Sequence, residues 1–198
     1  MSERYQANIG TLIGSVAPGV YVSWIYKFIL VVVGAGFLTL SAKIQVPFYP
    51  VPMTMQTFAV LVIAAAFGRK LGLFTILFYL LEGAVGLPVF AGTPVKGVGL
   101  SYMVGPTGGY LVGFIISTLT VGYLAEKGFD RSFTTTFITM LIGSSLILLS
   151  GYVWLSSLIG LEKAFQYGIF PFLIGELFKI ALATAILPLC WKFLSRHR

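Results

Sequence analysis

Residues 133–159 read FTTTFITMLIGSSLILLSGYVWLSSLI and contain no charged side chain. A hydrocarbon core about 30 Å thick needs roughly 20 consecutive apolar residues of helix to cross it, so this run is long enough to span a membrane. The whole chain has the same character, because 58% of its 198 residues are hydrophobic and 10% are charged. A soluble domain carries about 25% charged residues. The sequence therefore predicts an all-α membrane protein, since a β-barrel would show short alternating segments instead.

Hydropathy predicts a single transmembrane domain that covers residues 1–198 and crosses the cell membrane several times. We expect residues 1–27 to form an interfacial lead-in, with a signal peptide as the weaker alternative, and residues 195–198 to form a basic tail. The bundle itself occupies residues 28–194. Its six predicted spans are residues 28–46, 54–68, 71–87, 107–125, 133–159 and 171–194.

The basic residues predict the orientation of the bundle. Lys and Arg concentrate in cytoplasmic segments of membrane proteins, and here they lie at the ends of the apolar runs. A cytoplasmic N-terminus and C-terminus leave only Lys43, Lys96 and Lys163 outside, while Lys179 lies within the sixth span. The cytoplasmic set is then Arg4, Lys27, Arg69, Lys70, Lys127, Arg131, Lys192, Arg196 and Arg198. The positions of the basic residues explain the net charge of +7 by the orientation of the protein in the membrane. We therefore expect no nucleic-acid partner.

Several kinds of chemistry are absent from the sequence. Cys190 is the only cysteine, so the chain can form no intrachain disulfide and no cysteine-based metal site. The only histidine, His197, lies in the predicted tail. The phosphate-binding pattern GxxxxGK[ST] does not occur. The single hint of an enzyme is GSS at residues 143–145, which no histidine at membrane depth accompanies. We expect no catalytic residue, no metal and no cofactor.

Three ionisable residues fall inside predicted spans: Glu82, Glu176 and Lys179. Such residues are costly in a bilayer and are functional candidates by default. Glu176 and Lys179 are three positions apart, which places them on one helix face within pairing distance. They form either a neutralising ion pair or the polar floor of a pocket. Glu82 favours the pocket, because neutralisation does not need a further carboxylate.

The uncharged stretch GLSYMVGPTGGYLVGF, residues 99–114, leads into the fourth span. Its Gly105, Gly109 and Gly113 form a GxxxGxxxG face that permits close packing of helices in lipid. Backbone N–H groups around Thr107 and Gly108 would be free at the start of this helix and could meet a ligand. Aromatic side chains at the same level suggest a largely apolar pocket, although each is more often a belt or core residue. They are Phe48, Tyr49, Tyr79, Phe90, Tyr102 and Tyr110.

Four motifs in order resemble the BioY family, the biotin-binding S component of energy-coupling-factor vitamin transporters. They are VPFYPVPMTMQTF (46–58), YLLEGAVGLPVFAG (79–92), GPTGGYLVGF (105–114) and PFLIGELFK (171–179). The resemblance implies a six-helix subunit that captures biotin at the outer face. It also implies partners, namely a transmembrane coupling protein and two ATPase subunits, although some members are suggested to work alone. The family's usual Asp-x-x-Lys pair falls on Glu176 and Lys179.

The resemblance and the pocket chemistry together give the predicted site. Carboxylate and ammonium on one face can satisfy the ureido head of biotin, and Lys43 or free N–H groups could meet its carboxylate tail. The alternatives are an S component for another small vitamin and, more remotely, an intramembrane hydrolase. The substrate-binding set is Glu176, Lys179, Glu82, Tyr79, Thr107, Gly108, Tyr110, Gln56, Phe90 and Lys43. The partner-docking set on the first helix is Gly34, Ala35, Thr39 and Ala42.

Overall fold

The computed structural model describes residues 10–16 and 23–196, and this part of the chain is mostly helical. Of the predicted lead-in at residues 1–27, residues 1–9 and 17–22 lie outside the described residues, as do the tail residues 197–198. Arg4, His197 and Arg198 are therefore not described. Five of the described helices are long and apolar enough to cross a membrane. These are α2 (Trp24–Lys43), α3 (Gln56–Ala84), α5 (Gly108–Glu126), α6 (Phe133–Ile159) and α8 (Phe172–Arg196). The short elements are α1 (Leu12–Val16), α4 (Leu100–Met103), α7 (Leu161–Gly168), β1 (Gln45–Val46) and β2 (Met53–Thr54).

The six predicted spans correspond to five long elements, because the spans at 54–68 and 71–87 lie on the single element α3. Its backbone leaves the helical conformation at Gly68, which has φ 77° and ψ 179°. A left-handed φ favours glycine. The carboxylate of Glu126 accepts a hydrogen bond from the Arg69 N–H at 2.8 Å. Glu126 thus stabilises the start of the second half of α3.

The predicted extended cap between the first two spans forms a small antiparallel hairpin. Gln45 pairs with Thr54 and Val46 with Met53. The prolines at 47, 50 and 52 lie in the loop of this hairpin, where a missing N–H donor costs little. The hairpin packs against α8, where Met53 lies so close to Gly175 that any side chain at position 175 would collide with it. The cap therefore covers one end of the bundle beside α8.

Two glycines of α5 permit its close approach to α6. A Cβ atom on Gly109 would lie 2.6 Å from the Ser150 carbonyl oxygen, and one on Gly113 would lie 2.8 Å from the Ile147 Cα. Gly105 is not part of this face, because α5 begins at Gly108 instead of near Pro106. The predicted packing face therefore holds for Gly109 and Gly113, and close contact in lipid supplies dispersion energy there.

The two ends of the bundle differ in charge. At one end the guanidinium of Arg69 and the ammonium of Lys127 both lie 5.7 Å from the Tyr123 ring centre. Arg131 lies there as well, 4.6 Å from the ring centre of Trp191. The opposite end carries the hairpin and the loop after α3, which Lys43 contacts. The arrangement brings together the basic residues that the sequence assigns to one side of the membrane.

Candidate ligand-binding site

A pocket lies beneath the hairpin, enclosed by the loop after α3 and by α3, α5, α6 and α8. Its free volume is about 40 Å³, far below the roughly 300–1,000 Å³ of sites that hold small organic ligands. Binding of a small organic ligand therefore requires the hairpin or the walls to move outward. The lining residues are Val51, Pro52, Thr54, Gln56, Thr57, Phe90, Ala91, Tyr102, Thr107, Tyr110, Leu111, Phe114, Leu148, Phe172, Glu176 and Lys179.

The floor of the pocket is the ion pair between Glu176 and Lys179. Their side chains are almost fully buried, and the Lys179 ammonium lies 2.6 Å from Oε1 of Glu176. The hydroxyl of Thr57 donates to the same Oε1 at 2.7 Å and accepts from the ammonium at 3.0 Å. Ser144 donates to Oε2 of Glu176 at 2.7 Å. Residues of α3, α6 and α8 thus hold the pair in one geometry.

The pair retains hydrogen-bonding capacity toward the pocket. A carboxylate offers about four acceptor positions and an ammonium three donors. Three acceptor positions of Glu176 and two donors of Lys179 are used by the bonds just described. About one acceptor position and one N–H remain. A group that carries a donor and an acceptor side by side would satisfy both.

Aromatic side chains form much of the wall. The rings of Phe90 and Tyr102 stack with centres 4.9 Å apart. The Tyr102 hydroxyl donates to the Ala91 carbonyl at 2.9 Å, and burial raises the pKa of Tyr102. Tyr110 donates to the Gly168 carbonyl at 2.7 Å. These hydroxyls are used to fix the rings, so the wall is mainly an apolar surface.

Gln56 is the polar group on another side, and Tyr79 stands behind it. The amide of Gln56 donates to the Tyr79 hydroxyl at 2.7 Å, and that hydroxyl donates to the Val89 carbonyl at 3.1 Å. The hydroxyl of Thr54 donates to Gln56 Oε1 at 3.2 Å. Tyr79 is fully buried and does not line the pocket. Its place is to orient Gln56 and the loop residue Val89.

Lys43 lies outside the pocket. Its ammonium donates to the carbonyls of Pro88 at 2.7 Å and Phe90 at 3.0 Å, and to the Thr93 hydroxyl at 3.2 Å. These contacts use its donors to hold the loop that carries Phe90. The structure therefore gives no support to the expectation that Lys43 meets a ligand's carboxylate.

Two further predicted residues also fall outside the lining. Glu82 is half-buried on α3 and does not reach the pocket. Gly108 is buried beside the pocket, and its N–H donates to the Gly105 carbonyl at 3.0 Å. This N–H is therefore bonded within the chain, whereas the sequence predicted a free one. Thr107 does line the pocket and makes no cap bond to its own helix. The structure thus gathers a subset of the predicted set: Glu176, Lys179, Thr107, Tyr110, Gln56 and Phe90.

Sequence reasoning missed Thr57 and Ser144. Thr57 lies inside the motif VPFYPVPMTMQTF, one position after Gln56, so only its role was overlooked. Ser144 belongs to the GSS stretch that hinted at a hydrolase. Its hydroxyl donates to Glu176, and its side chain is buried behind the pocket. The i, i+3 spacing within α8 contains neither residue, because Thr57 lies on α3 and Ser144 on α6.

The small residues predicted to dock a partner face the chain's own interior. Gly34, Ala35 and Ala42 are buried, and a Cβ on Gly34 would lie 2.6 Å from Thr75 of α3. Thr39 is half-buried and donates to the Ala35 carbonyl at 3.0 Å. Docking through these residues stays a prediction. The outward-facing small residue of α2 is Gly36, whose Cβ position is open.

Within residues 10–16 and 23–196, no group of three His, Cys, Asp or Glu side chains could hold a metal ion. The candidate site is therefore an apolar pocket that closes over one buried ion pair, without an accompanying metal cluster in that part of the chain. This composition is typical of a site that binds a neutral or weakly polar organic molecule and orients it by a few hydrogen bonds.

A bundle of long apolar helices around such a pocket is the architecture of a membrane-embedded small-molecule-binding subunit. The family model of the BioY family matches residues 12–196, and this chain belongs to the BioY family.

Named proteins support the same relationship. The chain is 38% identical over 157 residues to the "Probable biotin transporter BioY" of Pyrococcus horikoshii. This alignment covers 79% of this chain and 91% of that relative. It is 39% identical over 152 residues to the "Biotin transporter BioY" of Thermotoga maritima, covering 76% and 87% of the two chains. A crystal structure of "the S-component for biotin from an ECF-type ABC transporter" superposes with a TM-score of 0.72 at 24% identity, covering 85% of this chain and 92% of that one. That superposition shows that the fold is shared.

Proposed function

We propose that this chain binds biotin in the pocket above Glu176 and Lys179 and takes part in biotin uptake. The names of the relatives as biotin transporters support the substrate. The observation that carries the proposal is the buried pair, which retains about one acceptor and one donor toward an aromatic pocket. Members of this family are transport subunits, so the activity is binding and translocation and not catalysis.

The chemistry of biotin matches these groups. Its ureido head places a carbonyl acceptor beside N–H donors, so the carbonyl can accept from Lys179 while an N–H donates to Glu176. The apolar bicycle would then lie against Phe90, Tyr102 and Tyr110. The Thr107 hydroxyl and the second amide N–H of Gln56, whose first donates to Tyr79, are the lining groups that we assign to the carboxylate tail. A buried donor or acceptor left unpaired costs about 1–3 kcal/mol, so the pocket discriminates against rings that lack a urea.

The transport cycle that we infer requires a coupling module. We propose six membrane passes, with the break at Gly68 separating the second from the third, and both termini in the cytoplasm of a cell whose plasma membrane holds the protein. The concentration of Arg69, Lys127 and Arg131 at one end supports this orientation. A transmembrane coupling protein with two ATPase subunits would supply the energy, since the chain has no phosphate-binding loop of its own.

Thermal unfolding of the purified protein with a panel of vitamins tests the substrate. A ligand at 100 times its dissociation constant stabilises the folded state by about 2.7 kcal/mol. We expect biotin to raise the midpoint of unfolding and thiamine, riboflavin and folate to leave it unchanged. Stabilisation by another vitamin and not by biotin would overturn the assignment. Dethiobiotin, which keeps the ureido ring but lacks the sulphur ring, is the matched ligand for the proposed head-group contacts.

A further inference from the structure

A crevice of about 670 Å³ opens at the end of the bundle opposite the ligand pocket, where α6 begins and α8 ends. Its polar wall includes Arg131, Trp191 and Lys192, and its apolar wall includes Phe133, Pro188 and Leu189. A second crevice of about 730 Å³ adjoins it and shares Leu189, Lys192 and Leu194. The second crevice is otherwise lined mainly by apolar side chains. Together they form a continuous surface with a basic part and an apolar part.

Among the described residues, no carboxylate lies within ion-pair distance of Arg131 or Lys192. There, the one ion pair is that of Lys179 with Glu176. The acid that lies nearest in sequence, Asp130, is fully buried and accepts from the Trp191 indole N–H at 2.7 Å. Trp191 also carries the guanidinium of Arg131 over its ring, at 4.6 Å from the centre. Asp130 attracts Arg131 electrostatically, but neither Arg131 nor Lys192 forms an ion pair with a described residue. The donors of both side chains can therefore bond to an external anion.

We propose that these joined crevices bind one anionic phospholipid, with its phosphate at Arg131 and Lys192 and an acyl chain along Leu189 and Leu194. A guanidinium recognises phosphate through paired hydrogen bonds. Basic pockets between transmembrane helices on the cytoplasmic side bind anionic head groups, and this end is the one that the positive charges assign to the cytoplasm. Each crevice lies within the range of about 300–1,000 Å³ that small-molecule sites occupy.

An amphiphile fits this surface better than a free phosphate does. A free phosphate would use the two basic groups and leave the adjoining apolar crevice without a partner. A phospholipid would occupy both parts, and α8 exposes further apolar side chains on this side, among them Ile186 and Leu189. The site is independent of biotin, because it shares no residue with the ligand pocket.

Native mass spectrometry of the full-length protein in a neutral detergent tests the proposal. Phosphatidylglycerol and phosphatidylcholine with identical acyl chains are titrated separately. We expect one phosphatidylglycerol to bind about tenfold more tightly than phosphatidylcholine, because each basic residue near an anionic lipid adds a favourable contribution. The variant Arg131→Gln/Lys192→Gln should lose this preference. The control Arg69→Gln/Lys127→Gln, which removes the same charge at the same end, should keep it.

Several outcomes would overturn the proposal. Equal affinity for the two lipids in the unaltered protein, or equal losses in the two double variants, would mean that only general charge attraction acts. Displacement of the lipid by an equal concentration of glycerol 1-phosphate would mean that the site takes a free anion. If the double variant keeps lipid preference but no longer co-purifies with a coupling protein, the crevice is a protein-docking surface. Should the double variant elute as an aggregate, Lys192→Gln alone decides, because that side chain is exposed.

Discussion

The pair of Glu176 and Lys179 shows how a charged floor can exist at membrane depth. Two separated charges would be strongly unfavourable there, and even a close pair loses much of its hydration. The structure compensates by bonding Glu176 to Thr57, Ser144 and Lys179, so its charge is spread over hydrogen bonds from three helices. A satisfied pair is rigid, and a rigid pair presents its remaining donor and acceptor in a fixed direction. The neutralising role and the binding role are thus compatible in the same residues.

Replacement of Lys179 by methionine should abolish most biotin binding. Removal of one member of a buried pair leaves the other charge unpaired, at a cost of roughly 3–5 kcal/mol, and it also removes the donor toward the ligand. Isothermal titration with the purified variant measures the loss. The control is Lys127→Met, the same change at an exposed residue over the Tyr123 ring. Unchanged affinity in a folded Lys179→Met protein would return the pair to a purely structural role.

Replacement of Ser144 by alanine should weaken biotin binding by about tenfold to a hundredfold. A hydrogen bond to a charged group contributes about 1.5–3 kcal/mol, and its loss frees the Glu176 carboxylate to rotate away from the ligand. Ser117→Ala is the matched control, because the Ser117 hydroxyl is also buried but has no hydrogen-bond partner. Titration calorimetry and unfolding midpoints should separate the two variants. Equal biotin affinity in both would exclude a positioning role for Ser144.

The sequence could identify the pair but not its surroundings. The spacing of Glu176 and Lys179 is a property of one helix, so it can be inferred from the chain alone. The bond from Ser144 depends on how α6 is rotated about its axis relative to α8. A local sequence pattern does not predict that rotation. The same limit explains Lys43, whose ammonium is used by a loop that folds back from residue 88 onward.

At the scale of elements, glycines set the distances between helices. Gly109 and Gly113 bring α5 against α6. Near the other end of α5, a Cβ atom added to Gly122 would lie 2.6 Å from the Cα of Arg69 on α3. Two faces of α5 therefore have no room for a side chain at these glycine positions. Because α5 carries Tyr110 and begins directly after Thr107, its placement sets the width of the ligand pocket.

Alanine at Gly109 should destabilise the protein and lower its yield in detergent. The added methyl group would collide with Trp154 and approach the Ser150 carbonyl oxygen at 2.6 Å, which forces α5 and α6 apart and removes dispersion contacts. Gly36→Ala is the control, since nothing lies near its Cβ position and alanine favours a helix interior by about 1 kcal/mol. Size-exclusion profiles and unfolding midpoints measure both. A Gly109→Ala protein as stable as Gly36→Ala would refute the packing role.

Long apolar runs predict most of the helices, whereas the junctions between helices are harder to predict from the sequence. The break in α3 was anticipated as a gap between two spans, but its continuation through Gly68 depends on Glu126, which is distant in sequence. The helix α7 was not predicted, because it follows Gly160 and contains Glu162 and Lys163, which read as a loop. Ala164 and Gly168 of α7 are buried because α7 packs against the C-terminal end of α6, where Leu155 meets Gly168.

At the scale of the whole molecule, one buried acid links stability to pH. Burial raises the pKa of Asp130 to about 6 from an ordinary value of 3.8, although the Trp191 N–H and the charge of Arg131 oppose the shift. Between these values the folded protein binds the proton more tightly than the unfolded chain. The contribution of Asp130 to folding therefore becomes less favourable as the pH rises from about 4 to 6.

Replacement of Asp130 by asparagine should consequently raise the unfolding midpoint at pH 7.5. Asparagine still accepts a hydrogen bond from Trp191 but carries no charge to desolvate. The gain over the unaltered protein should shrink as the pH falls toward 4, where Asp130 is protonated in both states. Glu162→Gln, at an exposed acid of α7, is the control and should show no such trend. A gain that is constant with pH would mean that Asp130 does not titrate as described.

The chain as a whole should bind biotin without ATP and should depend on partners for energy. The pattern GxxxxGK[ST] is absent from all 198 residues, and without backbone N–H groups arranged around a phosphate there is no basis for nucleotide affinity. Calorimetry of the isolated protein should give the same dissociation constant for biotin with and without Mg-ATP, and proteoliposomes should accumulate biotin only when a coupling protein and its ATPases are added. Phosphate release by a preparation free of partner subunits would contradict this division of labour.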